Sequence, residues 1–425
     1  MKKKLGVLAL VAASALALTS CASNGDPGSS GAPAADAKIR VWLVGTDTPK
    51  EAREYLTTTF EKENPGSKLI IEEQSWTGLV DKLNTNLSGS DSPDVVEVGN
   101  TQAAAFTSAG AFLDLTKEFD SLGGKDLLPG FVEAGSYDGK FYAAPLYSGA
   151  RLVFFKKDAL SAAGLTVPTT LADYVSNGKK LAADNAGKSG IWWPGQDWYN
   201  ALPFIWENGG EVATFKDGKW SSAFSTANSL EGLKQVQDAM VNASRAPKDG
   251  KEDNPQVGFC DGTSLQLSAP SWVKWSILAP ADSETPGCPD QEENLGVYAL
   301  PGKDGGAASV MAGGSNIAVS NKSKNPELAT KALKIILSDE FQTIYAKNGL
   351  VPAKLSLAKE LGTDEVATAT AEAAGKARLT PPSPKWADVE AAGLLQDFFV
   401  KIAQGGDVES LAKELDKKID GVLNG

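Results

Sequence analysis

From residue 39 onward the chain alternates between two apolar periods, and that alternation limits its folding more than any other feature. Ile39, Val41 and Leu43 recur every second residue up to Gly45, as one face of a strand does. Thr48-Pro49 then opens a run in which Ala52, Tyr55, Leu56 and Phe60 fall at helical spacing, closed by Asn64-Pro65-Gly66. Leu69 to Glu72 read as a second strand, and Leu79, Val80, Leu83 and Leu87 as a second helix. Asp94 to Val98, introduced by Ser92-Pro93, reads as a third strand. Strands alternating with helices predict a parallel α/β sheet. Ligands of open α/β sheets sit beyond the carboxyl ends of the strands. Those ends are Gly45-Thr46-Asp47, Gln74-Ser75-Trp76 and Gly99-Asn100-Thr101-Gln102, which carry polar and aromatic groups suited to a neutral ligand. None has a glycine-rich phosphate loop, which argues against nucleotides.

Further along, Asp138-Gly139 signals a hairpin and Arg151 to Phe155 a strand. Residues 158 to 308 mix helices with loops rich in Trp, Pro and Gly, and Met311 to Ser320 is another strand, entered through Gly313-Gly314. Asn325-Pro326 opens a helix that turns Leu328, Ala329, Ala332, Leu333 and Ile336 inward. Asp407 caps a last helix bearing Val408, Leu411, Leu415, Ile419 and Val422.

The N-terminus has a different character. Lys2, Lys3 and Lys4 precede an apolar run from Leu5 to Leu18, the layout of an export signal over residues 1–20. Leu18-Thr19-Ser20-Cys21 resembles a bacterial lipoprotein box, which implies that Cys21 becomes the lipidated first residue of the mature chain. Residues 22 to 37 hold nothing that could enter a core and read as a flexible tether reaching about 20–24 Å. The expected location is the outer face of the cytoplasmic membrane, held by the lipid alone. Loss of the three signal lysines takes the formal charge from −12 to −15. An acidic body of this kind is repelled by nucleic acid.

Two further cysteines, Cys260 and Cys288, read in an exported protein as one disulfide, credited with roughly 3–4 kcal/mol by the loop-closure model. The chain has no histidine, which removes Ser-His-Asp and Cys-His catalysis and the histidine-containing zinc sites together. No cofactor and no metal site is expected.

Several stretches, in order, resemble the bacterial extracellular solute-binding proteins of carbohydrate ABC importers, relatives of the maltose-binding protein. They are Phe60 to Gly66, Asp94 to Asn100 running into Gly110 to Leu115, and Gly149 to Asp158 followed by Ala163-Gly164-Leu165 and Pro168-Thr169-Thr170. Ala269-Pro270-Ser271-Trp272, Gly313 to Ser320, the Pro326 helix and Gly349 to Ala353 complete the series. Within the family, Glu97 to Gln102 and Gly195 to Pro203 look most like an actinobacterial, chitobiose-type group of sugar-binding lipoproteins. The resemblance implies an α/β, type II periplasmic-binding-protein fold with two lobes, each a mainly parallel sheet flanked by helices. Lobe 1 would comprise residues 38–146 and 312–358, and lobe 2 residues 147–311 and 359–425. Pro145 to Ser148 and Ser309 to Ala312 would lie at crossovers, with the ligand held between lobes that close on it.

A pyranose has apolar faces and a rim of hydroxyls, so it calls for flat aromatic platforms and side chains that both donate and accept hydrogen bonds. Of ten tryptophans, Trp272 and Trp386 are the stacking candidates, because both follow proline-marked loops and sit where the family resemblance places a cleft aromatic. Trp198 and Tyr199, in a Gly-Gln-Asp loop, come next. Trp76 ends a strand on the cleft side, with core packing an equal alternative. Trp42, Trp192, Trp206, Trp220 and Trp275 are assigned to packing. Among polar groups, Asn100, Thr101 and Gln102 stand at a strand end that opens a helix, where Asn100 could also serve as a cap. Asp47 has the same double reading. Arg151 could grip hydroxyls or form an ion pair between lobes, and Gly314 and Ser315 would bring backbone close to a ligand.

The expected function is capture of a neutral or N-acetylated di- or oligosaccharide, chitobiose-like, by a monomeric binding lipoprotein that delivers it to the transmembrane permease of an ABC importer. The protein is not expected to be an enzyme. The rival reading from another class is a surface glycoside hydrolase, which needs two carboxyl groups flanking the scissile bond. Asp197 and Glu207 lie beside aromatics, but no motif marks them. A binding protein for peptides or charged solutes would want clustered charge at the strand ends, where only Arg151 qualifies.

Overall fold

The structure is a computed structural model that describes residues 37–45, 47–283 and 285–425. The export signal, Cys21 and nearly all of the tether lie outside the described residues.

Strand β1 (Lys38–Val44), helix α1 (Lys50–Glu63), strand β2 (Lys68–Gln74), helix α2 (Leu79–Ser88), strand β3 (Val95–Gly99) and helix α3 (Asn100–Ser108) follow the sequence pattern closely. Both β2 and β3 pair with β1 in parallel. The sheet they begin has six strands, in the order Val351–Pro352, Ala143–Gly149, Gly313–Val319, β3, β1, β2. Its other three pairings are antiparallel. A second sheet, of strands Gln266–Pro270, Arg151–Lys156 and Leu295–Ala299, is antiparallel throughout. The expectation of mainly parallel sheets is therefore corrected. The α/β class holds, but Gly313–Val319 enters the large sheet at the boundary edge where β3 ends, with Ser315 opposite Gly99, and so runs against β3.

Each sheet nucleates its own core. Helices α1 and Pro326–Ile336 bury Leu56, Phe60, Leu328 and Leu333 on one face of the large sheet, while Trp42, Leu83, Val98 and Phe106 form a layer on the other. The small sheet is enclosed by Phe154, Trp193, Phe204, Phe259, Trp386 and Phe399 among others. Trp272 packs against both the small-sheet core and the large-sheet core.

The chain passes between the sheets with little slack. Only Ala150 separates strand Ala143–Gly149 in the large sheet from Arg151–Lys156 in the small one. Pro145 to Ser148, expected at this crossover, lie within the large sheet instead, paired with Gly314, Ser315 and Asn316. A second passage leads from Met311, bridged to Arg378, into Gly313. Cys260 and Cys288 are joined, their Cα atoms 5.4 Å apart. Among the described residues no helix is long and apolar enough to cross a membrane, and no group of three or more potential ligands gathers to hold a metal ion.

Candidate functional site

A cavity of about 310 Å³ opens where the two cores meet. From the large-sheet side it is lined by Asp47, Trp76, Asn100, Thr101, Gln102, Tyr147, Gly313 and Gly314, and from the other side by Arg151, Tyr199, Glu252, Pro270 and Trp272. Two further cavities share its walls. One, of about 380 Å³, has Asp47 and Trp272 in common with it and adds Trp275 and Asn348. The other, of about 280 Å³, has Asn100 and Thr101 in common with it and adds Arg378 to Pro382. The three form a row along the boundary between the sheets.

The strand ends supply the polar floor. Gly99 precedes α3 with no side-chain cap, so Asn100 is not spent on capping; its Nδ2 donates to Ala312 O at 3.0 Å, tying α3 to the second passage. Asp47 does not cap α1 either. It accepts from Tyr147 Oη at 2.8 Å and from Trp76 Nε1 at 3.2 Å, which fixes Trp76, 42 % exposed, at the cavity edge. Burial raises the pKa of Asp47, opposed by those two hydrogen bonds. Thr48, just before α1, does not cap it but meets Tyr345 Oη at 2.8 Å.

The aromatic wall depends on glycine. Gly149 and Gly313 face each other across two strands, and the indole of Trp272 lies over them. A Cβ on Gly149 would stand 2.1 Å from Trp272 Cζ3, so the ring reaches this position only because that side chain is missing. Ser271 N donates to Ala150 O at 2.9 Å, anchoring the backbone beside the indole.

Among the described residues Arg151 is the sole cation lining the central cavity, and it is already neutralised. It is buried, donates through Nε to Asn200 Oδ1 at 2.9 Å and through Nη2 to Ser268 O at 3.0 Å, and forms a two-pronged pair with Glu252. Asp197 Oδ2 lies 3.8 Å away. Burial alone would lower the Arg151 pKa; Glu252 and Asp197 outweigh it and raise it. Burial, reinforced by Glu252, pushes Asp197 up. Arg151 thus pairs with carboxylates on its own side of the boundary rather than across it, and the cavity presents a nearly neutral wall capped by Tyr199, 5.7 Å from the guanidinium carbon.

Beneath the floor, Glu97 of β3 is fully buried. Its Oε2 accepts from Val44 N at 2.8 Å, whereas its Oε1 and Ser315 Oγ have no well-directed partner. Desolvation pushes Glu97 up to about 8. Across the boundary Glu390 accepts from Thr101 and Gln102, and burial pushes it up to about 7 against those bonds.

The site residues read from sequence therefore divide. Trp272, Trp76, Tyr199, Asp47, Asn100, Thr101, Gln102, Arg151 and Gly314 are brought together. Trp386, Trp198 and Ser315 are not, which corrects the expectation for them. Trp386 begins a helix, Trp386–Ala391, and turns inward, fully buried, with its Nε1 donating to Glu390 Oε1 at 2.8 Å. Trp198 is 1 % exposed and packs beneath Tyr199, ring centres 4.1 Å apart. Ser315 lies within the sheet, its side chain sealed under the floor. Glu252 and Tyr147 line the cavity without having been singled out. Glu252 sits in a Lys-Asp-Gly-Lys-Glu-Asp run that reads as solvated loop, and Tyr147 in a strand whose pattern is apolar.

The chain is similar in sequence to the diacetylchitobiose binding protein DasA of Streptomyces coelicolor, 30 % identical over 427 aligned positions that cover 98 % of this chain and 97 % of the relative. It is 27 % identical to the maltodextrin-binding protein MdxE of Bacillus subtilis, covering 90 % of this chain and 89 % of that one. The fold superposes on the GacH receptor of Streptomyces glaucescens with a TM-score of 0.76 at 21 % identity, over 92 % of this chain and 99 % of that chain. The sugar-binding protein MalE of Xanthomonas citri gives 0.77 at 21 % identity, over 91 % and 98 %. The two-lobed fold is thus that of the type II periplasmic binding proteins. With residues 45–343 matching the family model as well, the chain belongs to the bacterial extracellular solute-binding proteins.

Proposed function

We propose that this protein captures a neutral or N-acetylated di- or oligosaccharide, of which diacetylchitobiose is the leading candidate, between its lobes and delivers it to the permease of an ABC importer. The observation that carries the reading is the composition of the central cavity: Trp272, Trp76 and Tyr199 beside Asn100, Thr101, Gln102 and Asp47, with Arg151 already paired. Aromatic faces suit the C–H faces of a pyranose, and amides and hydroxyls suit its rim. A wall whose one cation is spent on Glu252 has little to offer an anionic solute. About 310 Å³ lies at the small end of the range for small-molecule sites, and the adjoining compartments leave room for further rings. Relatives named for diacetylchitobiose and maltodextrin point to the same ligand class.

On this reading lobe 1 comprises residues 38–149 and 312–358 and lobe 2 residues 151–311 and 359–425, the first crossing moved from Pro145–Ser148 to Ala150, and Cys21 anchors a monomer to the outer face of the cytoplasmic membrane. Calorimetry on tether-less protein with diacetylchitobiose, cellobiose and maltose tests it. One of these should bind, and Trp272→Ala should weaken that binding by about 2–4 kcal/mol. Release of monosaccharide products at turnover would overturn the binding reading in favour of a glycosidase.

A further inference from the structure

One carboxylate is shared between the two halves of the molecule. Glu390 Oε1 accepts from Trp386 Nε1 of its own helix at 2.8 Å, and that helix belongs to the small-sheet core. Its Oε2 reaches the other half, accepting from Thr101 Oγ1 at 2.9 Å and from Gln102 Nε2 at 3.3 Å. Both donors stand in the first turn of α3, which packs into the large-sheet cores. Gln102 Nε2 also donates to Thr101 Oγ1 at 2.7 Å. Thr101 Oγ1 thus has its proton spent on Glu390 and one lone pair spent on Gln102. Yet Thr101 and Gln102 line the central cavity, and Thr101 lines its neighbour too.

We propose that Glu390 is a positioning residue: an inter-lobe latch that sets the resting separation of the lobes and stands in for a ligand hydroxyl at Thr101 and Gln102. Thr101 and Gln102 already donate to Glu390, so an arriving hydroxyl takes over these two side chains by exchange rather than by simple addition. This inference rests on the cavity being the ligand site, but its first test needs no ligand.

Small-angle scattering of Glu390→Ala without sugar should give a larger radius of gyration than wild type, at an unchanged far-ultraviolet spectrum. Thr101→Val, which removes the shorter of the two hydrogen bonds from the opposite lobe, should enlarge the radius in the same direction and serves if Glu390→Ala folds poorly. With saturating diacetylchitobiose the Glu390→Ala radius should return to the wild-type bound value, and its association rate should differ from wild type severalfold. A lowered melting temperature with an unchanged sugar-free radius in both variants would make Glu390 merely structural and overturn the latch. An enlarged sugar-free radius with no response to any sugar would leave the latch standing and remove the sugar reading instead.

Discussion

Replacing Gly149 by alanine tests whether the Trp272 indole is held where the cavity requires it. The new Cβ would lie 2.1, 2.7 and 3.1 Å from Cζ3, Cε3 and Cη2 of that ring. Carbon atoms rest at about 3.5–4.0 Å, so the ring edge must retreat by roughly 1.5 Å. Trp272 cannot retreat by moving its backbone freely, because Ser271 N is bonded to Ala150 O. The displacement falls on the side-chain torsions, at about 0.5–1.5 kcal/mol, and takes the ring out of stacking register. Together these should weaken sugar binding by about 1.5–3 kcal/mol, on the order of 10- to 150-fold in Kd. Calorimetry on Gly149→Ala, Trp272→Ala and the double variant separates this mechanism from general damage. Both substitutions act through one ring, so Gly149→Ala should cost almost nothing once the indole is gone. An undiminished affinity in the single variant, or an equal loss in the Trp272→Ala background, would refute the reasoning.

Stability should decline with pH because of Glu97. Its folded pKa of about 8 exceeds the ordinary 4.5, so the folded state binds the proton more tightly; the benefit is complete below about 4.5 and is lost as pH rises to about 8. At about 1.4 kcal/mol per unit this amounts to roughly 3–5 kcal/mol. Glu97→Gln should match wild type near pH 5 and exceed it near pH 8.5 in urea denaturation, whereas parallel pH profiles would mean that Glu97 is not protonated. Replacing Cys260 and Cys288 by serine should cost about 2–4 kcal/mol of unfolding free energy, and a melting temperature unmoved by the change or by reductant would show the bond to be dispensable. Asn316 lies wholly buried in the large sheet and donates to Phe131 O and Ala143 O, so Asn316→Ala should lower stability by about 1–3 kcal/mol without altering ligand specificity, measured by denaturation and calorimetry on one preparation.

What could be read from sequence was what local periodicity controls. The three strands and first two helices, and the polar strand ends they carry to one edge, follow from apolar spacing and punctuation within a few residues of each boundary, whereas of α3 only its opening at Asn100 was legible. Trp272 was recoverable because a proline-marked turn takes it out of any apolar period. Trp386 carries the same mark, but only long-range packing shows that its helix turns it into the core, where Glu390 satisfies its N–H. Strand direction was hidden for a similar reason: Gly313–Val319 has no local feature recording that it returns from the other half of the molecule. Glu252 and Glu390 matter because of what faces them, and neither has a neighbour in sequence that reveals this.

The single-residue passage at Ala150 has a mechanical consequence. Gly149 and Arg151 are each fixed in a hydrogen-bonded ladder, so the link between them has almost no length with which to absorb sliding or separation. With a second passage beside Met311, and a third where the chain leaves Val351–Pro352 of the large sheet for helix Glu365–Ala374 of the small-sheet core, the halves behave like two boards joined by a strip of stiff cloth that favours swinging over sliding. A transport partner reading such a molecule would receive one variable, the swing angle, whatever cargo sets it.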